Sequence, residues 1–280
     1  MRQADGGETA QSVCRKHNIS EQANQCQFER DGFAFVHDVL SAAEIEIFAP
    51  IFSERLPADK LPPGIPDAGL NGRKTLISEH TDPRLSNLAG HTHLIEAVDT
   101  LIGPRFLIQS TSAPVITYKS PPGAERFDLG YHVDWPNNPP KPHDDRHLNC
   151  ALHFSTVETG GGALMIYPGS HRLVEKSLED PKLRKRMLDQ NFNGFPGLPE
   201  PVEVCVPAGT AVFFHSFLVH DRSENILDVP RRVLFTHYKG FDDTQQRHEW
   251  AAKAAERFVQ HQIDTMDERL LHLCGLDEKQ

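Results

Sequence analysis

The chain has few cysteines, and those it has form no pattern. Cys14, Cys26, Cys150, Cys205 and Cys274 are odd in number, scattered, and never spaced as CxxC. That excludes a disulfide framework and a thiolate metal site, and fits reduced thiols in a cytoplasmic protein. Long apolar runs are missing too: no window approaches 18 uninterrupted apolar residues, so no helix is expected to span a bilayer. The opening stretch MRQADGGETAQSVCRKHN has no apolar region of the kind a secretory signal needs. Positive charge is short, with 29 Lys and Arg against 39 Asp and Glu and a formal net charge of −10. That balance argues against a nucleic-acid partner and against docking on an anionic membrane. Histidine, by contrast, is plentiful at 16. The count invites a metal site and also makes accidental motifs common.

At 280 residues the chain can bury one large core. Residues 1–26 read as a polar leader, and 27–280 as a single domain without an internal linker. Within DGFAFVHDVLSAAEIEIFAPIF a short strand, Phe33 to Val36, leads to a helix. Ser41 and Glu44 form its capping box, and Ile45, Phe48 and Ile51 its apolar stripe. THLIEAVDTLIGP is a second helix, with Leu94, Val98 and Leu101 on one face and Gly103-Pro104 as its stop. From about residue 106 the apolar period becomes two. In LNCALHFS, Leu148, Cys150, Leu152 and Phe154 share one side while Asn149, Ala151 and His153 share the other. Further short strands run to about residue 240, separated by Gly and Pro turns and interrupted by a helical insert, RLVEKSLEDPKLRKRMLDQ. The pattern predicts one long helix over about 245–272, with Trp250, Ala254 and Phe258 at i, i+4 spacing. Helices first, many short strands, then a helix is the order of a mostly β jelly roll with flanking helices.

His-x-Asp occurs three times, at His80/Asp82, His132/Asp134 and His143/Asp145. The first runs into Pro83 and the third lies in the proline-broken loop PPKPHDDRH, so neither backbone suits a regular strand. His132 and Asp134 instead alternate with Tyr131, Val133 and Trp135 in YHVDWP. In extended backbone, residues i and i+2 face the same way about 7 Å apart. Two such side chains can converge on one ion. A second imidazole would complete the two-His, one-carboxylate face used by non-haem iron oxygenases. Candidates downstream are His153, His215, His220 and His237. Eleven residues after His220 comes Arg231, whose guanidinium can pair bidentately with a carboxylate. Spacing alone does not separate Arg231 from Arg232.

These segments together resemble the phytanoyl-CoA dioxygenase family of Fe(II)- and 2-oxoglutarate-dependent oxygenases. FERDGFAFVHDVLSAAEI is similar to the family's first strand and helix, DTLIGP to a later helix end, and YKSPPG to the strand before the metal motif. YHVDWP resembles the metal strand, ETGGGALMIYPGSHR the family's Gly-Gly and Pro-Gly-Ser-His stretch, and PAGTAVFFHSFLVHDRSENILDVPRR its closing segment. The resemblance spans about residues 27–240, and its weight lies in the order of the motifs.

The resemblance implies a double-stranded β-helix (jelly roll, cupin-like) core over about 106–240. It implies Fe(II) held by His132, Asp134 and His220, with 2-oxoglutarate and O2 as cosubstrates. Arg231, rather than Arg232, would bind the far carboxylate of 2-oxoglutarate, and Lys119 would support that anion. The implied reaction oxidises a C–H bond of a small-molecule substrate while 2-oxoglutarate becomes succinate and CO2. Halogenating relatives carry a small residue at the carboxylate position, so Asp134 points to hydroxylation or a related oxidation. The family commonly has Ser two residues after the distal His, where this chain has Arg222, which leaves the secondary contacts to 2-oxoglutarate open. His171 in PGSH reads as structural, and the GGG at 160–162 as a tight hairpin. Trp135, Asn137 and Asn138 follow the metal pair at the mouth, and Lys141 and Arg146 charge the next loop. Two other readings compete: a cupin-like metalloenzyme of different chemistry, and a non-catalytic binding module on the same scaffold. The first usually carries more His ligands; the second generally lacks one of them.

Overall fold

A computed structural model describes residues 21–59, 73–76, 80–110, 112–121, 130–134, 146–189, 192 and 194–277. The strands are β1 (Phe33–Val36), β2 (Arg73–Thr75), β3 (Phe106–Ile108), β4 (Ala113–Thr117) and β5 (His147–His153). After them come β6 (Leu164–Ile166), β7 (Val202–Val204), β8 (Ala211–His215), β9 (His220–Arg222) and β10 (Arg231–Gly240). Seven form one antiparallel sheet in the order β1-β8-β5-β10-β4-β2, with β3 on the far part of β10. The other three form a small sheet, β7-β6-β9.

Strand alternation explains how the layers stack. On β5, Leu148, Cys150 and Leu152 point to the helix side, where they join Phe52, Leu94, Val98 and Tyr238 in the largest apolar cluster. Ala151 on the opposite face joins Phe33, Val212, Phe214 and Val233 of the large sheet with Leu164, Ile166 and Val204 of the small one. The two sheets therefore close on each other as a jelly roll, with every β5 residue buried.

The helices are α1 (Glu21–Asp31), α2 (Ala42–Arg55), α3 (Pro83–Ser86) and α4 (Thr92–Ile102) before the sheets, and α5 (Ser170–Ser177) and α6 (Pro181–Leu188) within them. The last three are α7 (Thr244–Ala255), α8 (Gln260–Ile263) and α9 (Glu268–Leu273). Ser41 and Glu44 close the capping box of α2, and Gly103, with φ +85°, ends α4. Helix α1 begins inside the expected leader, because Phe28 is buried in the helix-side core; residues 1–20 lie outside the described residues. The single C-terminal helix expected over about 245–272 is instead three short helices. Val259 is extended (φ −97°, ψ 154°) at the first break, and Asp267 accepts from the Leu270 N–H to start α9. Phe258 thus lies beyond the end of α7 and packs as a loop residue. The helical insert is split in the same way by Asp180, which caps α6 ahead of Pro181. No helix among the described residues is long and apolar enough to cross a membrane.

Gly32 joins α1 to β1 with φ +82°, and a Cβ there would meet His171 Nδ1 at 2.4 Å and Leu218 Cδ1 at 2.8 Å. His171 is buried against this turn and the His215 ring. Gly32→Ala is expected to cost about 2 kcal/mol or more, from left-handed backbone strain plus displacement of His171. Urea unfolding checks this; an unchanged midpoint would show that the turn relaxes freely.

Candidate metal centre

His132 lies in the described segment 130–134 and meets β9 through one isolated bridge. The His132 N–H donates to the His220 carbonyl and the His220 N–H donates back, both at 2.9 Å. Exchange of both bonds puts the two side chains next to each other, with ring centroids 4.4 Å apart. Asp134, two residues on, turns to the same side. Its Oδ1 lies 3.8 Å from His132 Nε2 and its Oδ2 3.5 Å from His220 Nε2. One ligand atom from each of the three lies within 4.8 Å of the others.

The second ring nitrogens fix the chemistry. His132 Nδ1 sits 2.8 Å from the Gly130 carbonyl and His220 Nδ1 2.9 Å from the Leu218 carbonyl. A carbonyl oxygen only accepts, so both Nδ1 atoms donate to the backbone and both Nε2 atoms are left facing Asp134. Burial holds His220 below the usual histidine value, against the pull of Asp134. For Asp134, burial pushes upward, but the neighbouring His220, His237 and His132 outweigh it and keep the carboxyl below its ordinary value. The set offers a cation the donors it binds, two imidazole nitrogens and one carboxylate.

Behind it stands a relay that sequence reading missed. Asn149 Nδ2 donates to Asp134 Oδ2 at 2.9 Å, and the Asn149 Oδ1 accepts from His237 Nδ1 at 2.6 Å. All three elements meet because β5 and β10 pair Asn149 with His237 directly. The alternation of β5 already puts Asn149 on the face opposite Cys150, so its side is legible in the sequence, but not its partner.

The three residues line a cavity of about 270 Å³. Arg231 enters it from the start of β10, 3% exposed. Burial, then the nearby Arg73 and Arg222, push its guanidinium down to about 9. Its Nε and Nη2 have no hydrogen-bond partner, and neither does the hydroxyl of Thr117, which is 0% exposed. Thr117 is the cross-strand partner of Arg231. Gly162, at φ +75°, closes this corner: a Cβ there would lie 3.5 Å from Thr117 Cγ2 and 3.8 Å from Arg231 Cδ. Arg232 points the other way, donating to Ser53 Oγ at 3.2 Å.

Lys119 does not reach this corner. Its Nζ pairs at 2.9 Å with Asp228 on an exposed surface, since it lies beyond the end of β4 and follows the turn outward. Of the remaining histidines, His153 bonds the Thr210 carbonyl, and His215 Nδ1 accepts from the Phe217 N–H. Asp82 caps α3 and pairs with Arg55 and Arg84. Arg146 bonds Asp242 and the Phe241 carbonyl. Trp135, Asn137, Asn138, Lys141, His143 and Asp145 lie outside the described residues. The glycines at 160–162 form a turn, with the Gly161 N–H on the Glu158 carbonyl and a bridge to Asn225.

The chain is 25% identical over 247 residues to the ectoine dioxygenase of Bordetella parapertussis, covering 79% of this chain and 76% of that one. Its fold matches the epimerase SnoN, solved with Fe3+, alpha-ketoglutarate and nogalamycin RO, at TM-score 0.61 and 20% identity, over 79% of this chain and 84% of SnoN. It also matches HygX of Streptomyces hygroscopicus, solved with nickel, 2-oxoglutarate and hygromycin B, at TM-score 0.52 and 16% identity, over 78% and 86% of the two chains. A match to the family described as phytanoyl-CoA dioxygenase (PhyH) runs from residue 28 to 233, from the end of α1 through the paired start of β10. The chain belongs to the phytanoyl-CoA dioxygenase family.

Proposed function

We propose that the chain is an Fe(II)- and 2-oxoglutarate-dependent dioxygenase in which His132, Asp134 and His220 hold the iron. Arg231 and Thr117 hold the far carboxylate of 2-oxoglutarate. The observation that carries this reading is the pairing, in one cavity, of a ready ligand set with a buried, unsatisfied guanidinium whose cross-strand neighbour Thr117 has an unsatisfied hydroxyl. Buried polar groups without partners are costly, and an incoming carboxylate would satisfy the Arg231 and Thr117 donors together. Iron with 2-oxoglutarate supplies the oxidising power, balanced as R–H + O2 + 2-oxoglutarate → R–OH + succinate + CO2. The protein's own part is orientation. The Nδ1 bonds to Gly130 and Leu218 aim the imidazoles, Asn149 holds Asp134, and the apolar walls formed by Phe235 and Leu164 exclude water. The substrate is a small molecule, as expected for a cavity of about 270 Å³. Among the described residues no cysteine enters a disulfide, which supports a reducing, cytoplasmic setting.

Substrate-dependent release of succinate from 2-oxoglutarate tests the activity, and its absence across a broad screen of small molecules would remove it. The cosubstrate corner has its own test. Arg231→Gln is expected to weaken 2-oxoglutarate roughly 30-fold or more, and Thr117→Val roughly tenfold, with Thr117→Ser near wild type. Both are read anaerobically from the visible absorption of the iron–2-oxoglutarate chelate. Pyruvate, which lacks the far carboxylate, should bind wild type and both variants alike; a Thr117→Val loss as large for pyruvate would remove Thr117 from this role.

A further inference from the structure

Arg73 lines the same cavity from the same sheet as Arg231 and has no acidic partner among the described residues. It belongs to edge strand β2, half-buried, where Arg73 pairs with Thr117 and Thr117 in turn with Arg231. Arg73 and Arg231 thus lie in one row, two strand spacings or about 10 Å apart at the backbone. Period-two alternation turns Arg73 and Thr75 inward, together with Ala113 and Val115 of β4.

The charges of this wall do not cancel. The described lining carries three guanidiniums (Arg73, Arg222 and Arg231) and two carboxylates (Asp134 and Asp221). A divalent metal and the dianionic cosubstrate add charges that offset each other. Among the described residues, one positive charge remains after loading. Asp221 and Arg222 of β9 both have partners, and Arg231 is matched by the cosubstrate, which leaves Arg73 as the guanidinium without an anionic neighbour among the described residues. An enclosed guanidinium with cationic neighbours is unfavourable unless an anion reaches it. Burial and Arg222 both push its charged form in the unfavourable direction.

We infer that the substrate of this enzyme is an organic anion, a carboxylate or a phosphate ester, whose charge is held by Arg73, two strands from Arg231 on the same sheet. The inference rests on the oxygenase reading above and adds the class of substrate. Arg73 acts in binding, with the planar two-donor geometry suited to either oxyanion. The C–H bond to be oxidised then belongs to the part of the molecule directed at His132, Asp134 and His220, along apolar Val115, Leu164 and Phe235.

The test uses the full chain loaded anaerobically with Fe(II) and 2-oxoglutarate, with propionate and methyl phosphate as probes and propionamide as the neutral control. Occupancy is read from perturbation of the chelate absorption. At least one anion is expected to perturb it, with a dissociation constant at least tenfold weaker in Arg73→Gln and partly restored in Arg73→Lys. Propionate alone would assign a carboxylate substrate, and methyl phosphate alone a phosphate ester. Propionamide should act on neither protein, and the 2-oxoglutarate affinity of Arg73→Gln should stay within twofold of wild type. Three results would overturn the proposal: no anion effect in wild type, equal effects in wild type and Arg73→Gln, or propionamide acting as strongly as propionate. Weakened 2-oxoglutarate binding in Arg73→Gln would overturn it too, by assigning Arg73 to the cosubstrate. Failure of the wild-type chelate band to form at all would instead strike the oxygenase reading.

Discussion

His220→Ala is expected to leave a folded chain that no longer couples 2-oxoglutarate to any substrate. The side chain sits in β9 with little of it exposed, but the strand itself is held by backbone bonds to His132 and to β6, which alanine keeps. Removing the imidazole takes away a ligand whose lone pair is aimed by the Leu218 carbonyl, and leaves His132 and Asp134 as a two-point site. Turnover should fall to background while the thermal midpoint of the metal-free protein moves by only a few degrees. Asn149→Ala provides the graded comparison. It leaves all three ligands in place but frees Asp134 Oδ2 and removes the acceptor of His237. Loss of such an outer-shell bond typically weakens metal binding by roughly 10–100-fold, so Asn149→Ala should recover activity at high iron where His220→Ala does not. Iron titration of the three proteins decides the matter; succinate formation by His220→Ala at wild-type rate would mean the metal sits elsewhere.

Acid should unfold the protein well above the carboxylate range. Burial pushes His147 and His153 down to about 3 and His171 to about 4. In the unfolded chain each returns to about 6.5. Below that value the unfolded state takes up protons that the folded state refuses, so stability is complete above pH 6.5 and is lost as pH falls toward 4 and 3. Each group contributes at most about 1.4 kcal/mol per pH unit in that window. Three together give a slope on the order of 4 kcal/mol per unit, against a total stability of roughly 5–15 kcal/mol. The depressed carboxyl of Asp82, bonded to Arg84 and Arg55, acts in the same direction at still lower pH. Thermal midpoints at pH 7.5, 6.0 and 5.0 should therefore drop steeply. His147→Phe, which removes a buried ring with both nitrogens unpartnered, should flatten the slope by about a third. A midpoint constant from pH 7.5 to 5.0 would show that these histidines charge without unfolding.

Local patterns in the sequence are enough where one segment decides the structure. The period-two run through Leu148, Cys150 and Leu152 identifies a strand and its two faces, and Ser41 with Glu44 identifies a helix start. Both depend on neighbours within a few residues. His132 and Asp134 are legible for the same reason, although their backbone makes a single bridge rather than a strand. What stays hidden depends on register between strands. Thr117, Arg73 and Asn149 acquire their meaning from the residues opposite them, Arg231, Thr117 and His237 respectively, and no spacing along one chain reveals that pairing. Lys119 fails as an anion ligand because alternation ends with β4, so its direction follows a turn to Asp228. The C-terminal helix breaks for a related cause: amphipathic spacing continues across Val259, while the backbone there is extended.

The pair of hydrogen bonds between the His132 and His220 backbones joins segments from opposite halves of the sequence. Neither half can assemble the ion-binding face alone, however much secondary structure it forms. With the ligands proposed above, iron uptake would therefore report completed threading: a polypeptide lacking the second half would lack His220 and is expected not to load the metal.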